Sequence, residues 1–406
     1  MRVVFTTWAW PSHLYALVPL ARACRAAGHE VVFASEPGLT RDVLRADLPA
    51  AVLGTDVDTA GMVHEYLLPL PGGPAPRREG KGPRVLRMLT AHAESMTGDL
   101  IRLIRDWRAD LVVYDQVTLA GPIAAAATGV PAVRQLYGFD LLQRARGVLP
   151  DALAPLAERF GAGPVDPFGA ATVDPVPASV QVPGDHRLLP MRYLPYNGPE
   201  TTPWQPPEPP GRRRRPRVCV SWGHTIAKVD PSRFIADGIA AALAETGVDV
   251  VLAVSAAQLD LLAARRDAAG EPSGVARDLP GALPDGVRVV VDVPLRNVLR
   301  DCDAFVGHGG AGGILTALAH GVPMLLVPQL PDHAGHTGRV AAGGAAAVLS
   351  LAELTPAAVR DEVTRLLDDP EPRRAAGELR EEMRSQAAPA EVAGALAGLR
   401  PSLVSG

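Results

Sequence analysis

The chain has 406 residues, which is too long for one ordinary hydrophobic core and suits two domains. Its hydrophobic fraction of 47% is enough to fill both cores. The formal net charge of -4 excludes a general attraction for nucleic acid or an anionic membrane, and we expect neither as a partner. The local basic run at 212–215 is interpreted as a solvated linker in preference to a nucleic-acid contact.

Cysteine usage and the N-terminal residues predict a cytoplasmic protein. Cys24, Cys219 and Cys302 are far apart and lack a metal-ligand spacing, which is typical of free thiols in a reducing cytosol. Residues 3–5 already form an apolar run after Arg2, so we expect no signal peptide. No apolar run is long enough to cross a bilayer, so we expect no stable membrane insertion.

The first part of the chain alternates apolar runs with helical periodicity, which predicts strand–helix–strand units. The predicted strands are 2–7, 30–34, 111–115 and 131–134, and the predicted helices are 13–27 and 120–128. Parallel strands with crossover helices form a Rossmann-like domain, whose ligands bind at the carboxyl ends of the strands. His13 and Asp115 both lie at such ends.

Two intervals of this part are rich in proline and glycine. Residues 66–85 and 147–210 therefore predict irregular loops or short helices, the usual place for a variable binding wall. Residues 199–216, with repeated prolines and four arginines, are typical of an interdomain linker.

A second set of alternating elements follows. The predicted strands are 217–221, 249–254, 287–291, 304–306 and 323–327, and the predicted helices are 231–245, 355–368 and 371–386. We therefore predict an N-terminal domain at 1–205, a linker at 206–216 and a C-terminal domain at 217–386. The tail at about 387–406 is expected to pack back on the first domain. Clefts between such domains are common ligand sites.

The glycine-rich stretch at 306–313 follows an apolar run and opens onto a helical segment. Glycines allow close backbone approach, and the free N–H groups and dipole of a helix start favour an anion. His308 can add a hydrogen bond to a phosphate oxygen. A tight turn with no ligand would use the same residues, so the pattern alone leaves both interpretations open.

Several ordered motifs together resemble the GT-B glycosyltransferases of glycosyltransferase family 1. The likeness is to bacterial enzymes that attach nucleotide-activated deoxysugars to polyketide-type natural products. It is carried by residues 5–13, 18–21, 111–115, 134–140, 221–225, 293–295, 308–313 and 328–333. The resemblance implies an α/β GT-B fold, in which two Rossmann-like domains face each other across a cleft. It also implies that the domain at 1–205 binds the acceptor and that the domain at 217–386 binds the nucleotide-sugar.

The resemblance implies that His13 is the general base for the acceptor hydroxyl and that Asp115 orients its ring and stabilises the imidazolium. Imidazole suits a general base because its pKa lies near neutrality. His13 as a turn-capping helix residue and Asp115 as an ordinary strand-end cap are the alternatives.

The resemblance also assigns residues to the donor. Its departing pyrophosphate would be bound by His308 and the backbone of the helix start, with hydroxyls after the first strand of the second domain as further ligands. The candidate residues are Ser221, Thr225, His308, Gly310, Ala311, Gly312 and Gly313 for the pyrophosphate, Val293 for the nucleobase, and Asp332 and His333 for the donor sugar. A plain turn is an open alternative for Ser221 and Thr225.

Three positions depart from the family pattern. Ser12 replaces a glycine before the histidine base, Gly313 replaces a threonine or serine, and His333 replaces a glutamine. The last change weakens the case for a plain glucose donor. Asp332, His333 and His336 could also suggest a metal cluster, but no fourth ligand is in view, so we expect no metal.

The predicted activity is an inverting, metal-independent transfer of a sugar, preferably a deoxyhexose, from a dTDP-sugar to a hydrophobic aglycone, with no cofactor. A sugar-nucleotide epimerase and a non-catalytic sugar-nucleotide-binding partner of a biosynthetic complex are the alternatives. An epimerase would not need His13 and Asp115, and a non-catalytic partner would lose the base. A homodimer and an auxiliary protein are both left open, as are the particular sugar and aglycone.

Overall fold

The computed structural model describes residues 1–70, 81–206, 215–267, 283–284 and 286–399. Within these residues the chain divides into two compact units. Unit 1 contains residues 1–62, 81–196 and 383–399, and unit 2 contains residues 63–70 and 197–382 where they are described. Residues 207–214, the greater part of the expected linker, and residues 400–406 of the expected tail lie outside the described residues.

Unit 1 is built on a seven-stranded sheet in the order β3-β2-β1-β4-β5-β6-β7, and every pair is parallel. The strands are β1 (Arg2–Thr6), β2 (Glu30–Ser35), β3 (Ala50–Val52), β4 (Leu111–Asp115), β5 (Ala132–Gln135), β6 (Ala171–Asp174) and β7 (Leu188–Pro190). The helices are α1 (Pro11–Ala26), α2 (Thr40–Arg45), α3 (Thr59–His64), α4 (Lys81–Trp107), α5 (Ala120–Thr128) and α6 (Leu149–Arg159). Parallel pairing brings the carboxyl ends of β1, β2 and β4 to one edge of the sheet.

Unit 2 is built on a six-stranded parallel sheet in the order β10-β9-β8-β11-β12-β13. The strands are β8 (Arg217–Ser221), β9 (Asp249–Val254), β10 (Val287–Val291), β11 (Ala304–Gly307), β12 (Met324–Leu326) and β13 (Ala346–Val348). The helices are α7 (Thr225–Val229), α8 (Ala236–Ala244), α9 (Ala256–Asp267), α10 (Leu295–Leu299), α11 (Ala311–His320), α12 (Pro331–Ala342), α13 (Pro356–Asp368) and α14 (Pro370–Ser385). Short 3-10 helices lie at Pro37–Leu39, Leu141–Ala145 and Pro231–Arg233.

The last helix, α15 (Pro389–Ala397), packs against α1 in unit 1. Its residues Val392, Ala393 and Leu396 belong to the same buried apolar cluster as Leu17 and Val3. The chain before α15 is hydrogen-bonded to the residues that follow β7, the outer strand of the sheet. The Arg192 N–H donates to the Ala387 carbonyl at 2.8 Å. The α1 helix, whose first turn carries His13, is therefore packed against a segment that follows unit 2 in the chain.

Most of the predicted strands and helices are observed within one or two residues, including β4 and α5 at the predicted bounds. Four short strands were not predicted: β3 and β13, and, in the interval 147–210 that was expected to be irregular, β6 and its neighbour β7. They are three or four residues long, which is too short for a clear alternation of apolar and polar side chains. Among the described helices, none combines the length and apolar character that a bilayer crossing requires.

Residues 63–70 are grouped with unit 2, although the sequence placed them in the first domain. The grouping has a local cause. The Leu68 N–H donates to the Gln329 carbonyl at 3.0 Å, and Arg233 Nη2 donates to the Leu68 carbonyl at 2.8 Å. Contacts of this kind between distant parts of a chain leave no periodic pattern in the sequence.

Candidate functional site

His13 and Asp115 form a buried hydrogen-bonded pair in unit 1. His13 lies in the first turn of α1, Asp115 ends β4, and His13 Nδ1 is 3.0 Å from Asp115 Oδ2. The two residues are 6% and 0% exposed. The Thr118 hydroxyl donates to the same carboxylate oxygen at 3.2 Å. With the carboxylate accepting from Nδ1–H, the other ring nitrogen of His13 is left to accept a proton.

Aromatic side chains surround this pair. The Trp8 ring meets His13 edge-on with centroids 5.0 Å apart, and the half-buried Tyr137 ring lies 4.1 Å from the His13 ring. Trp10 stacks on Trp8 at 5.8 Å. The base candidate therefore sits among apolar surfaces, which suit a hydrophobic partner.

A second histidine–carboxylate pair, His92 with Glu36, also contacts Trp8. His92 Nδ1 is 2.7 Å from Glu36 Oε1, and the His92 ring is 4.7 Å from Trp8. The other Glu36 oxygen accepts from the Ala9 N–H at 2.9 Å, which fixes the loop before α1. This pair was not predicted from the sequence, because His92 is a lone histidine in a long helix. The position of Glu36 directly after β2, at the same sheet edge, was the available signal.

The segment after β5 is fixed by a buried arginine. Arg134 makes a bidentate pair with Asp140, at 3.1 and 2.5 Å, and its guanidinium lies 4.1 Å from the Phe168 ring. The Asp140 N–H donates to the side chain of Gln181 at 2.9 Å. The loop that carries Tyr137 is thereby held against the segments around β6.

In unit 2, the predicted anion cradle is a turn from β11 into α11. Gly310 is the N-cap of α11, so the first N–H groups of the helix have no acceptor within it. Gly309 adopts a φ of +86°, and a Cβ there would lie 2.5 Å from the Thr337 Cγ2 atom. Glycine is required at that position by both the backbone and the space.

His308 occupies the mouth of the cradle and is 9% exposed. Its ring meets His333 edge-on at 4.7 Å and lies 6.0 Å from Trp222. A Cβ on Gly223 would lie 2.6 Å from His308 Cε1, so the β8 loop packs directly on the ring. Burial, followed by the charges of three neighbouring histidines, holds the pKa of His308 well below its ordinary value. Those neighbours are His333, His224 and His336.

The other predicted donor residues follow strands of the same sheet. Ser221 pairs with Gly307, the residue before His308, and Thr225 begins α7 after the loop that packs on His308. Val293 follows β10, the edge strand, three strand spacings from β11. At the usual spacing of neighbouring strands this is about 14 Å. Ser221 therefore lies beside the cradle, and Val293 lies at the carboxyl ends of the strands of the same sheet, three strands away from it.

Asp332 and His333 lie in the first turn of α12. Burial alone would raise the pKa of Asp332, but His333 and His336, together with backbone N–H groups of the helix start, hold it below its ordinary value. Burial lowers the pKa of His333, against the raising effect of Asp332. Within the described residues, the buried Nδ1 of His333 has no hydrogen-bond partner. A buried ring nitrogen of this kind is suited to a ligand.

The departure at Gly313 has a steric explanation. A Cβ at this position would lie 3.3 Å from the Phe305 ring, so a serine or threonine would require that ring to shift.

The described part of the chain contains no group of three or more histidine, cysteine, aspartate or glutamate side chains arranged to hold a metal ion.

Comparison with family models gives two matches that together span most of the chain. The N-terminal domain model described as erythromycin biosynthesis protein CIII-like matches residues 22–223, and the corresponding C-terminal domain model matches residues 272–399. Two similar curated proteins are 3-alpha-mycarosylerythronolide B desosaminyl transferase of Saccharopolyspora erythraea and 10-deoxymethynolide desosaminyltransferase of Streptomyces venezuelae. The first is 35% identical over 97% of both chains, and the second is 34% identical over 97% of this chain and 95% of its own.

Solved structures of similar proteins confirm the GT-B fold class. The glycosyltransferase VinC in complex with dTDP is 31% identical, with a TM-score of 0.76 over 98% of this chain and 99% of its own. The spinosyn rhamnosyltransferase SpnG complexed with spinosyn aglycone is 26% identical, with a TM-score of 0.79 over 98% of this chain and 100% of its own. Each unit of the chain has the parallel sheet that this fold class requires.

Proposed function

The chain belongs to the erythromycin biosynthesis protein CIII-like family of natural-product glycosyltransferases, and from this premise we propose an inverting, metal-independent reaction. In it, a sugar, preferably a deoxyhexose, moves from a dTDP-sugar to a hydroxyl of a hydrophobic, polyketide-type aglycone. The observation that carries the proposal is the buried hydrogen bond between His13 and Asp115 beside the Trp8 and Tyr137 rings.

On the acceptor side, His13 removes the proton as the hydroxyl oxygen attacks the anomeric carbon. A hydroxyl is a weak nucleophile until its proton is being removed, so a base within hydrogen-bond reach lowers the barrier. Asp115 keeps the ring in the tautomer that accepts this proton and stabilises the imidazolium that forms. Direct displacement by the acceptor oxygen inverts the configuration of the anomeric carbon. The aromatic rings around His13 support a hydrophobic acceptor.

On the donor side, the negative charge that develops on the diphosphate is stabilised by His308 and the N–H groups of Gly310, Ala311, Gly312 and Gly313. Ser221 adds a hydroxyl at the same end of the sheet. The separation of Val293 from His308 along the sheet edge is compatible with a nucleobase at one end of the donor and its diphosphate at the other. Thymidine as the base is supported by the relative VinC, whose structure is described as a complex with dTDP.

Two other functions are not favoured. A sugar-nucleotide epimerase could use the His308 cradle but has no need of a hydrogen-bonded base beside an apolar acceptor surface. A non-catalytic sugar-nucleotide-binding protein has no need of the His13–Asp115 pair either. The proposed reaction uses no cofactor and no cation, because the cradle residues themselves stabilise the leaving group.

The test measures dTDP release from several dTDP-sugars, with and without candidate polyketide aglycones and with EDTA present. We expect release that depends on the aglycone, is unaffected by EDTA and yields the glycoside with inverted anomeric configuration. Turnover without any acceptor would favour the epimerase. A strict requirement for magnesium or manganese would contradict the metal-independent mechanism and would indicate Asp332, His333 and His336 as metal ligands.

His333 is proposed to contact the hydroxyls of the donor sugar. A neutral imidazole offers one donor and one acceptor, whereas the amide of glutamine offers two donors and an acceptor. His333→Gln should therefore raise kcat/KM for dTDP-glucose relative to a dTDP-deoxyhexose by about tenfold, because one more sugar hydroxyl can be paired. The affinity for dTDP itself should change little. An unchanged ratio, or a collapse of dTDP binding, would show that His333 does not contact the sugar.

A further inference from the structure

Residues 63–70, here called the crossing segment, come from the N-terminal half of the chain but are bound to unit 2. Both polar groups of the Leu68 main chain are hydrogen-bonded. Its N–H donates to the Gln329 carbonyl at 3.0 Å, and its carbonyl accepts from the Arg233 side chain at 2.8 Å. Gln329 lies just before α12, the helix whose first turn carries Asp332 and His333. The crossing segment is therefore fixed beside the proposed donor-sugar residues.

Its anchor also connects to the anion cradle. The main-chain carbonyl of Arg233 accepts from Gln329 Nε2 at 3.0 Å and from Trp222 Nε1 at 3.1 Å. Trp222 is fully buried and packs near His308. Three segments, around residues 68, 233 and 329, are thus joined by hydrogen bonds, which fix the position of the crossing segment.

Tyr66 lies two residues before this anchor and is 9% exposed. Its hydroxyl has no hydrogen-bond partner within the described residues. Burial and then the negative charge of Asp332 raise the pKa of Tyr66, so its hydroxyl stays protonated and able to donate. Buried polar groups are nearly always paired, and His333 Nδ1 in the same unit is also buried without a partner. The Tyr66 hydroxyl and His333 Nδ1, which belong to two residues that both interact with the Asp332 carboxylate, are therefore suited to a polar ligand.

We propose that Tyr66 is a specificity-determining residue, whose hydroxyl donates a hydrogen bond to an oxygen of the donor sugar beside Asp332. The inference rests on the proposed function and deepens it, because it assigns part of the sugar site to a segment that the sequence placed in the first domain. The sugars favoured are hexoses that carry an oxygen at the position facing Tyr66, and those deoxygenated there lose the contact.

The test compares Tyr66→Phe with the unchanged full-length chain, using calorimetric binding of dTDP and of an intact dTDP-sugar, and kcat/KM for transfer. Loss of the hydroxyl should weaken binding of the dTDP-sugar and lower kcat/KM by about five- to fiftyfold, while dTDP binding stays within about twofold. A matched control is Tyr196→Phe, which removes the hydroxyl of a similarly buried tyrosine in the core of unit 1 and should leave all three values unchanged. Equal weakening of dTDP and dTDP-sugar, or no change in either, would overturn the proposal.

A second variant tests the crossing segment itself. Arg233→Met removes the hydrogen bond to the Leu68 carbonyl but keeps the main-chain carbonyl that binds Trp222 and Gln329. Like Tyr66→Phe, it should weaken dTDP-sugar binding more than dTDP binding. If the ratio of the two affinities is the same as in the unchanged protein, Arg233 does not position the crossing segment for the sugar. Because binding is measured without an acceptor, the outcome is separate from the transfer reaction. Absence of transfer by the unchanged chain would refute the proposed function while the effect of Tyr66→Phe on dTDP-sugar binding could still be measured.

Discussion

Replacing His13 with alanine should lower the rate of sugar transfer by about two to four orders of magnitude, the usual contribution of a general base. The affinity for dTDP should remain within about twofold of the unchanged protein, since the predicted diphosphate residues all belong to unit 2. Single-turnover kinetics with a saturating dTDP-sugar would measure the loss in the chemical step itself. A variant that retains most of its rate would refute the assignment of His13 as the base.

Asp115→Asn provides a graded comparison. An asparagine can still contact His13 Nδ1, 3.0 Å away in the unchanged protein, but it offers no negative charge to the imidazolium. We expect a smaller loss than for His13→Ala, and a double variant no slower than the single His13→Ala variant, because the two residues act as one unit.

His92→Asn is the structural control for both variants. His92 is also buried, pairs with Glu36 at 2.7 Å and lies 4.7 Å from the same Trp8 ring. Its loss should lower thermal stability but reduce kcat by no more than about tenfold, because its side chain is 1% exposed and its Nδ1 is paired with Glu36. A loss as large as that of His13→Ala would instead mean that the conformation of the Trp8 loop, and not proton transfer, limits the reaction.

The second large effect is expected at His308. His308→Ala should weaken dTDP binding by about ten- to a hundredfold, since a hydrogen bond to a charged group contributes about 1.5–3 kcal/mol. At a hundredfold excess over the dissociation constant, dTDP should stabilise the unchanged protein by about 2.7 kcal/mol. The same ligand concentration should stabilise the variant much less. Thermal melting with and without dTDP measures the difference, and an equal shift in both proteins would exclude His308 from the site.

The low pKa of His308 gives this prediction a pH dependence with a definite sign. The unfolded chain binds a proton at His308 near pH 6.5 and the folded chain does so only at lower pH, so stability without ligand should fall as the pH drops through that value. A bound diphosphate favours the charged imidazole and raises its pKa. The affinity for dTDP should therefore increase as the pH falls through the raised pKa of His308 in the complex, with net proton uptake measurable by calorimetry in two buffers. In His308→Ala the proton uptake should diminish.

Two glycines of the cradle supply matched controls. A Cβ at Gly310 would lie 2.7 Å from His308 Nε2, whereas a Cβ at Gly312 would meet nothing within 4 Å. Gly310→Ala should therefore displace the imidazole and reproduce part of the His308→Ala defect. Gly312→Ala keeps the N–H group and gains helix propensity, so dTDP affinity should stay within about threefold and stability should not fall.

The residues that follow strands were the most predictable part of the site. The apolar run 111–115 and the glycine turn at 306–313 each place polar atoms at the carboxyl end of a parallel strand, so local pattern was enough to find Asp115 and His308. Tyr66 could not be found in this way. Its position depends on the pairing of Leu68 with Gln329, 261 positions further along the chain, and such a contact has no local signature. The same holds for Arg134, whose burial becomes understandable only with Asp140 and Phe168 beside it.

The position of α15 has a consequence for how the polypeptide is made. Val392, Ala393 and Leu396 complete the apolar cluster around α1, so the unit that carries His13 is assembled from segments that lie before and after unit 2 along the chain. While the ribosome is still synthesising unit 2, the side of α1 that α15 covers stays open to water. A fragment ending at Tyr196 would keep that surface exposed, whereas a circular permutant that begins at α15 could finish unit 1 before unit 2 is translated.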